Sequence, residues 1–420
     1  MIIMLIYISI FIGAFLAVKV FDKFRTKHTD FTSLKTVTFG DESAVTPNRA
    51  ASIISVIAIF MIWGAFTGSK LTPLHVPGPF SGEIIFTYTA MNANGEKDEA
   101  QVWVDVYHQG EVASKEEIAT GDGFALNDKA RIKAWRSGLI KVKRNDKNYK
   151  EKSYRVVAIN GKPISPGGEV FIDNARISMT AKGTLNFTPE KGWQMEPIWL
   201  PSPEAVWSRL LEISSDGYRD STLLEHLSAS LFRVIAGFIA GAVIGIPLGY
   251  AMGLSNWFRG WFDPIVEFMR PVPPLALIPL VIIWFGIGEE GKIILLFLAS
   301  LWIMTISARA GVSGVAISKI HAAYSLGASK WQIMRHVIVP NSLLEIFTGA
   351  RVAMGVCWGT VVAAELVAAE KGAGMMIIAA SKFQMTDIVI MGIILIGVIG
   401  YSIDILMRMA ENYLVPWKGK

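Results

Sequence analysis

The chain has 420 residues, of which 52% are hydrophobic, and its formal net charge is +5. Its mean hydropathy of +0.42 and its apolar content exceed those of a typical soluble domain, in which about 45–50% of residues are apolar. The modest charge gives no reason to expect a nucleic-acid partner, and the single cysteine excludes an intrachain disulfide framework. The six histidines are scattered without i,i+4 pairs, so no metal site is predicted. Long uncharged runs flank one polar block, which predicts an integral membrane protein with a water-facing domain.

Residues 1–19 are predicted to form an extra N-terminal transmembrane helix. Residues 2–18 carry no charge, and the basic residues, beginning with Lys19 and Lys23, follow this run. A cleaved signal peptide has its positive charge before the apolar core, so a retained helix is expected and cleavage is the alternative. The positive-inside rule places residues 20–49 in the cytosol as a linker. Residues 50–67 then form the first core transmembrane helix, which runs outward.

Residues 76–198 are predicted to form a β-rich domain on the extracytoplasmic, periplasmic side. Apolar residues alternate at period two, and turn signals such as Asn94-Gly95 and Asn160-Gly161 separate the runs. Such a pattern is typical of an antiparallel sandwich or a small barrel. The highly charged segment Lys141–Lys152 is interpreted as a solvated hairpin. The predicted strands are Glu83–Thr89, Gln101–Tyr107, Tyr154–Ile159, Val170–Ile172 and Thr184–Phe187.

The next predicted span runs from about residue 227 to 254 and carries glycines at every fourth position. At 3.6 residues per turn these glycines share one face, which favours close packing against a neighbouring helix in lipid. Arg233 lies within this span and needs an ionic partner or a polar cavity. The glycines of this helix-packing face are Gly237, Gly241, Gly245, Gly249 and Gly253.

The span at residues 263–285 is interrupted by three prolines in four residues, which predicts a kink near a translocation pathway. The hypothesis is that Arg270 and Glu365 face this pathway, and the alternative is that they form ion pairs that hold helices together. Gly286-x4-Gly291-Lys292 mimics a phosphate loop, but Ile293 replaces the required Ser or Thr, so no ATPase is predicted. The predicted pathway residues are Arg270, Pro271, Pro273, Pro274 and Glu365.

Residues 319–340 form a polar, basic segment between two apolar blocks, predicted as two short helices with a turn at Gly327. Its small residues, the glycine and Pro340 resemble the EAA loop of ABC-importer permeases, with His321 in place of the family's glutamate. The resemblance implies a cytosolic coupling loop that docks into a groove on an ATPase subunit. An ordinary basic cytosolic loop is the alternative. The residues assigned to the loop are His321, Ala322, Ala323, Gly327, Ala328, Lys330, Trp331 and Pro340.

Apolar segments at residues 293–306, 341–364 and 385–409 complete a predicted total of seven spans, one extra and six in the core. Residues 200–420 closely resemble permeases of the taurine, alkanesulfonate and nitrate importers, nearest to the taurine branch. The resemblance rests on Arg-Pro-Val-Pro-Pro-Leu-Ala at 270–276, Ile-Trp-Phe-Gly-Ile-Gly at 283–288, Ser-Leu-Gly-Ala-Ser at 325–329 and Val-Ala-Ala-Glu-Leu-Val-Ala-Ala at 362–369.

This resemblance implies a mainly α, polytopic membrane protein with the six-span core of a type I ABC-importer permease in residues 200–420 and the helix at 50–67. It further implies a permease subunit of the bacterial inner membrane that is not an enzyme and binds no cofactor, since a partner subunit binds the ATP. The expected partners are an ABC ATPase dimer, a periplasmic substrate-binding protein, a second copy of the permease and the lipid bilayer. Taurine or a small sulfonate is the expected substrate. Nitrate, an alkanesulfonate or a pyrimidine is the alternative, and a membrane-anchored extracytoplasmic binding or sensory protein is the rival class.

Overall fold

A computed structural model of the chain describes residues 2–25, 49–108, 121, 123–147 and 154–417. The chain divides into two compact units, residues 1–204 and residues 205–420. The first unit contains two apolar helices and two β-sheets. The second unit contains a bundle of long helices, together with shorter ones at its two ends.

Two apolar helices open the first unit, α1 (Ile2–Arg25) and α2 (Arg49–Thr67). Both are long and apolar enough to cross a membrane, and most of their side chains are exposed, as lipid contact requires. The Tyr7 hydroxyl donates a hydrogen bond to the carbonyl oxygen of Leu74 at 2.7 Å, so α1 begins beside the chain that follows α2. The two helices are therefore antiparallel. Most of the predicted linker, residues 26–48, lies outside the described residues.

The first unit also contains two sheets, one of five strands in the order β3-β2-β1-β5-β6 and one of four in the order β4-β9-β8-β7. Inward-facing side chains of both sheets share one hydrophobic core, and Phe86 stacks on Phe187 across it with ring centroids 6.1 Å apart. The strands are β1 (Gly82–Met91), β2 (Lys97–Tyr107), β3 (Asp128–Lys133), β4 (Gly138–Ile140), β5 (Arg155–Ile159), β6 (Lys162–Pro163), β7 (Glu169–Ile172), β8 (Ala175–Met179) and β9 (Leu185–Pro189).

The sheets differ from the predicted antiparallel architecture at one pair, because β3 lies parallel to β2. About twenty residues separate these two strands, and a parallel pairing needs a crossover of roughly a dozen residues or more. The prediction of a solvated hairpin at residues 141–152 is also wrong for its described part. Val142–Arg144 is a 3-10 turn, and both Val142 and Asp146 are buried. Residues 148–153 lie outside the described residues.

The second unit consists of helices, preceded by α3, which crosses the boundary between the units. An N-cap at Thr222, with a capping box to Glu225, starts α4 four residues before the predicted apolar run. The helices are α3 (Pro203–Asp216), α4 (Leu223–Leu254), α5 (Asn256–Met269), α6 (Ile278–Phe285), α7 (Glu289–Ser313), α8 (Ile317–Ser325), α9 (Lys330–Ile333), α10 (Val339–Ala368), α11 (Ala373–Lys382) and α12 (Thr386–Leu414).

Helices α4 and α7 pack closely and run in the same direction. The glycine face of α4 lies against α7, with Gly237 beside Leu296 and Gly253 beside Val312. The intervening glycines follow α7 in the same order, so residue numbers increase together along both helices. Any side chain at these positions would collide with α7, which explains why α4 has glycines where α7 approaches.

The parallel arrangement of α4 and α7 requires residues 255–288 to return the chain from one end of the bundle to the other. Helix α5 contacts α7 through Arg309, whereas Val281 of α6 packs beside Leu295. The segment therefore runs antiparallel to α7, with a bend of 92° between α5 and the segment Pro274–Phe285, which contains α6. The bend lies at the place where the prolines predict a kink.

Helix α10 runs back along α7, and α12 runs back along α10. Ser342 approaches Gly311, and the Cys357 thiol reaches the carbonyl oxygen of Leu296. The Trp358 indole donates a hydrogen bond to the carbonyl oxygen of Ile396 at 3.0 Å. Six described helices are long and apolar enough to span a membrane, and the number reaches the seven predicted from the sequence if the bent pair is one span.

Candidate functional site

Four charged side chains meet where α4 and α7 begin and α10 ends, and we call this the charged end of the second unit. Arg233 is buried and donates to Glu289 through Nε at 2.5 Å and Nη2 at 2.8 Å. Its Nη1 donates to Glu365 at 2.6 Å and to the carbonyl oxygen of Lys371 at 2.9 Å. Lys292 adds a second cation to Glu289 at 3.0 Å. Arg233 therefore has the partners that its membrane depth requires.

The Glu365 carboxylate is fully surrounded by donors. The Ser230 hydroxyl donates to its Oε1 at 2.7 Å, and the backbone N–H of Gly374 donates to its Oε2 at 2.9 Å. Gly372 has a φ of 145°, and a Cβ there would lie 2.6 Å from Oε1 of Glu365, so only glycine fits this turn. The N–H of Gly372 donates to Nδ1 of His226 at 3.1 Å. This network fixes the loop after α10 against α4.

A cavity of about 690 Å³ opens beside this network. Its apolar lining includes Leu366, Met375 and Ile378, which come from α10 and α11. Its titratable lining combines three cations and three carboxylates, and so has a net formal charge of zero. These six residues are Arg219, Lys292, Lys382, Glu289, Glu365 and Glu370.

The structure separates the two charges predicted to face one pathway. Arg270 is exposed beside Pro271 at the bend and pairs with Glu267 at 3.7 Å, and Glu267 in turn binds Arg309 of α7 at 3.0 Å. Glu365 instead belongs to the charged end, where α7 begins at Glu289. Twenty residues of α7 separate Arg309 from Glu289, which corresponds to about 30 Å of helix. Pro273 and Pro274 lie at the same bend as Arg270, and they are not among the residues that line the cavity.

The predicted coupling loop lies at the opposite end of the unit, which we call the basic end. Gly327 has a φ of 79° and ends α8, and a capping box between Ser329 and Gln332 starts α9 at Lys330. A π-helical turn at Met334–Ile338 then joins α9 to α10, which contains Pro340 in its first turn. The sequence prediction of two short helices about Gly327 agrees with this geometry.

The segment at the basic end has a buried face and an exposed face. Ala323 and Ala328 pack on a cluster formed by Val312, Ile333 and their neighbours. The opposite face exposes His321, Ala322, Lys330 and Trp331. Leu326 is 89% exposed and Trp331 is 72% exposed, although both are large apolar side chains. An exposed apolar surface on an ordered segment is typical of a protein-binding site.

The first unit contains a buried polar cluster that the sequence did not reveal. Asp146 accepts hydrogen bonds from the hydroxyls of Tyr88 at 2.7 Å and Tyr154 at 2.5 Å, and from the N–H of Leu126 at 2.7 Å. Burial, and then the hydrogen bond to Asp146, raise the pKa of both tyrosines above their usual value. Burial and the charge of Asp146 raise the pKa of Asp128 to about 7. Among the described residues no group of three or more His, Cys, Asp or Glu is placed to hold a metal.

Sequence reasoning singled out Arg233 and Glu365 but missed that both belong to one network with Glu289. It also missed that Glu365 lines a cavity with Arg219 and Lys382. These residues come from four separate stretches of the chain. The available signal was the charge in the first turn of α7, at Glu289 and Lys292, which an apolar span does not need. Only the packing of α4, α7 and α10 shows which of these charges meet.

Comparison with known proteins identifies the class to which the helical unit belongs. Residues 241–414 match the family described as the inner membrane component of binding-protein-dependent transport systems. Among curated relatives, the taurine transport system permease of Escherichia coli K12 is 47% identical over 227 residues, which is 54% of this chain and 82% of that protein. The chain therefore belongs to the ABC-importer permease family that includes the taurine, sulfonate and nitrate permeases.

Two further relatives and one solved structure show the range of similarity. The putative aliphatic sulfonates permease of E. coli K12 is 38% identical over 226 residues, which is 54% of this chain and 84% of that protein. The nitrate import permease of Synechocystis sp. is 31% identical over 226 residues, which is 53% of this chain and 82% of that protein. An inward-facing MetNI methionine transporter aligns at 21% identity and a TM-score of 0.38, over 44% of this chain and 95% of that chain. The sheets at residues 82–189 lie outside the family match.

Proposed function

We propose that this chain is the permease subunit of an ABC importer that carries taurine or a related small sulfonate across the bacterial inner membrane. The observation that carries the substrate is the gradation of similarity, from 47% identity with a taurine permease to 38% with a sulfonate permease and 31% with a nitrate permease. Membership of the permease family does not favour the rival class of an anchored sensory protein.

The distribution of basic residues indicates how the second unit is oriented in the membrane. Lys319, Lys330 and Arg335 lie at the basic end, so the positive-inside rule assigns that end to the cytosol and the charged end to the periplasm. No candidate span lies between Thr67 and Leu223 among the described residues. We therefore assign the sheets to the periplasmic side and propose that they have a role in docking the binding protein.

The exposed face of α8 and α9 is the proposed contact with a separate ATPase dimer. Leu326 and Trp331 supply apolar area, and neither supports the fold beneath them. In this mechanism ATP binds one arrangement of the complex more tightly than the other, and the two permease copies alternate between inward and outward access. The coupling is the difference between the two binding free energies, which acts reciprocally on both sites.

Uptake into membrane vesicles tests the proposal. The vesicles contain this chain, its ATPase subunit and its binding protein, and labelled taurine is supplied with ATP. Saturable uptake of labelled taurine that unlabelled taurine inhibits more strongly than nitrate or an alkanesulfonate does supports the proposed substrate. Stronger competition by nitrate or an alkanesulfonate would retain the transporter class and change the substrate. A correctly assembled complex that moves none of these solutes would contradict the proposal.

A substitution at Leu326 tests the proposed coupling surface. Leu326→Asp adds a charge to a side chain that contacts little in this chain, so the fold should persist and the ATPase subunit should be lost from the purified complex. We expect at least a tenfold loss of ATP-dependent uptake, because an apolar anchor at an interface centre contributes about 2 kcal/mol or more. Leu326→Met is the matched control and should retain both the ATPase subunit in the purified complex and ATP-dependent uptake. Normal uptake by Leu326→Asp would exclude this surface.

A further inference from the structure

The cavity at the charged end has the chemistry of a binding site for a zwitterion. We propose that it binds the aminosulfonate substrate directly, with Arg219 and Lys382 holding the sulfonate and Glu370 holding the ammonium group. This inference depends on the proposed function, because it assigns residues to the substrate of that transporter. All residues of the site belong to the second unit.

Four charged groups at the charged end already neutralise one another. Glu365 is paired with Arg233, and Glu289 is paired with both Arg233 and Lys292. These four groups stabilise one another, and Glu289, Lys292 and Glu365 line the cavity. They supply no full charge to a ligand, since each carboxylate already has a cation within 3.0 Å.

Three other charged side chains at the cavity are available to a ligand. Among the residues that the structure describes, Arg219, Lys382 and Glu370 line the cavity without an oppositely charged side chain in ion-pair distance. The guanidinium of Arg219 lies 5.8 Å from the ring centroid of Phe383, a contact that leaves its N–H groups available. Two cations suit the three oxygens of a sulfonate, and one carboxylate suits an ammonium.

The size and the lining of the cavity also suit a small zwitterion. About 690 Å³ lies within the usual range of roughly 300–1,000 Å³ for small-molecule sites. An aminosulfonate with a two-carbon spacer fills only part of this volume, so water remains and binding stays weak enough for release. Met375 and Ile378 provide the apolar wall on which the spacer can lie. Nitrate has no cationic group, so it would leave Glu370 without a partner.

The test is direct ligand binding to the assembled permease–ATPase complex in lipid nanodiscs, without the binding protein. Titrations with taurine and with ethanesulfonate, each with and without a non-hydrolysable ATP analogue, compare a zwitterion with an anion that has the same two-carbon chain but no ammonium group. Glu370→Gln should weaken taurine binding about tenfold or more and should leave ethanesulfonate binding within about twofold, because it removes only the ammonium partner. Arg219→Gln and Lys382→Gln should each weaken the binding of both ligands by about tenfold.

Glu290→Gln is the matched control, because Glu290 is exposed, adjoins Glu289 and does not line the cavity. It should leave both titrations unchanged. Absence of taurine binding to the wild-type complex would overturn the inference, and so would an equal loss of both ligands in Glu370→Gln. A loss of binding-protein affinity in the three variants with unchanged taurine binding would instead identify the cavity as a docking surface and also overturn it.

Uptake assays on the same preparations separate this inference from the proposed function. If wild-type vesicles import taurine but the cavity variants bind it normally, the transporter assignment stands and the site is elsewhere. If wild-type vesicles import no taurine, the proposed function itself fails.

Discussion

The close approach of α4 and α7 can be tested by adding a single methyl group at Gly249. A Cβ at this position would overlap the carbonyl oxygen of Thr305 and lie 2.6 Å from Cβ of Ala308 and 3.0 Å from the amide nitrogen of Arg309. Two of these three atoms belong to the backbone of α7. Rotation of a side chain cannot relieve the overlap, so the helices must move apart.

Two opposing effects set the magnitude for Gly249→Ala. Overpacking a well-filled contact costs about 1–3 kcal/mol, and a backbone collision belongs at the upper end of this range. Replacing glycine by alanine inside a helix recovers about 1 kcal/mol through the intrinsic helix propensity. We therefore expect a net loss of about 2 kcal/mol in the free energy of unfolding. For a unit of about 200 residues this loss corresponds to a decrease in Tm of about 4–8 °C.

Thermal unfolding of the purified complex in detergent measures this effect. Gly397→Ala in α12 is the matched control, since a Cβ there meets no atom within 4 Å. The control should gain up to about 1 kcal/mol from helix propensity alone. If Gly249→Ala unfolds at or above the wild-type Tm, α4 and α7 do not approach as closely as the structure shows, and the reasoning is refuted.

Two further predictions concern buried charges. Arg233→Gln leaves Glu365 buried without its cation and should destabilise the protein by about 3–5 kcal/mol. The control Arg136→Gln removes a half-exposed ion pair and should cost about 1 kcal/mol or less. Equal thermal stability of the two variants would contradict the network. The pKa of Asp128 is raised to about 7, so the stability it contributes is full below pH 4 and is lost as the pH rises through about 7. Asp128→Asn should therefore raise the Tm of the first unit at pH 8, and should raise it much less at pH 5. The control Asp173→Asn changes an exposed carboxylate and should leave the Tm unchanged at both pH values. A Tm gain independent of pH would exclude this explanation.

The spans and strands were predictable wherever a local pattern reports burial. The alternation in residues 83–89 and 101–107 corresponds to β1 and β2, and the apolar runs correspond to α2, α4, α10 and α12. β3 and β8 were missed because Asp128–Lys133 and Ala175–Met179 carry charged or polar residues on their outer faces and few β-branched ones. Their strand conformation comes from pairing with β2 and β9, which is tertiary context.

The candidate site was less predictable because its residues are distant in the sequence. Arg233 signalled the need for a partner, but nothing local indicated that Glu289 and Glu365 would both supply it. Residues 141–152 show the opposite error, since a run of charges suggested solvent while Asp146 is buried beneath two tyrosine hydroxyls. The charge of a segment predicts its average exposure. It does not predict the one side chain that the fold turns inward.

The glycine face of α4 gives the unit a mechanical role that connects its two ends. Helix α7 carries Glu289 and Lys292 of the cavity wall at one end and Arg309 and Val312, which contact α5 and the base of α8, at the other. Because α7 packs against α4 over this whole length, we expect the two helices to move as one rigid pair. If an ATPase docks at the basic end as proposed, a displacement there would reach the cavity without passing through a flexible loop. On this argument Gly249→Ala should also uncouple the complex. ATP hydrolysis should continue while taurine uptake per ATP falls, whereas Gly397→Ala should leave the ratio unchanged.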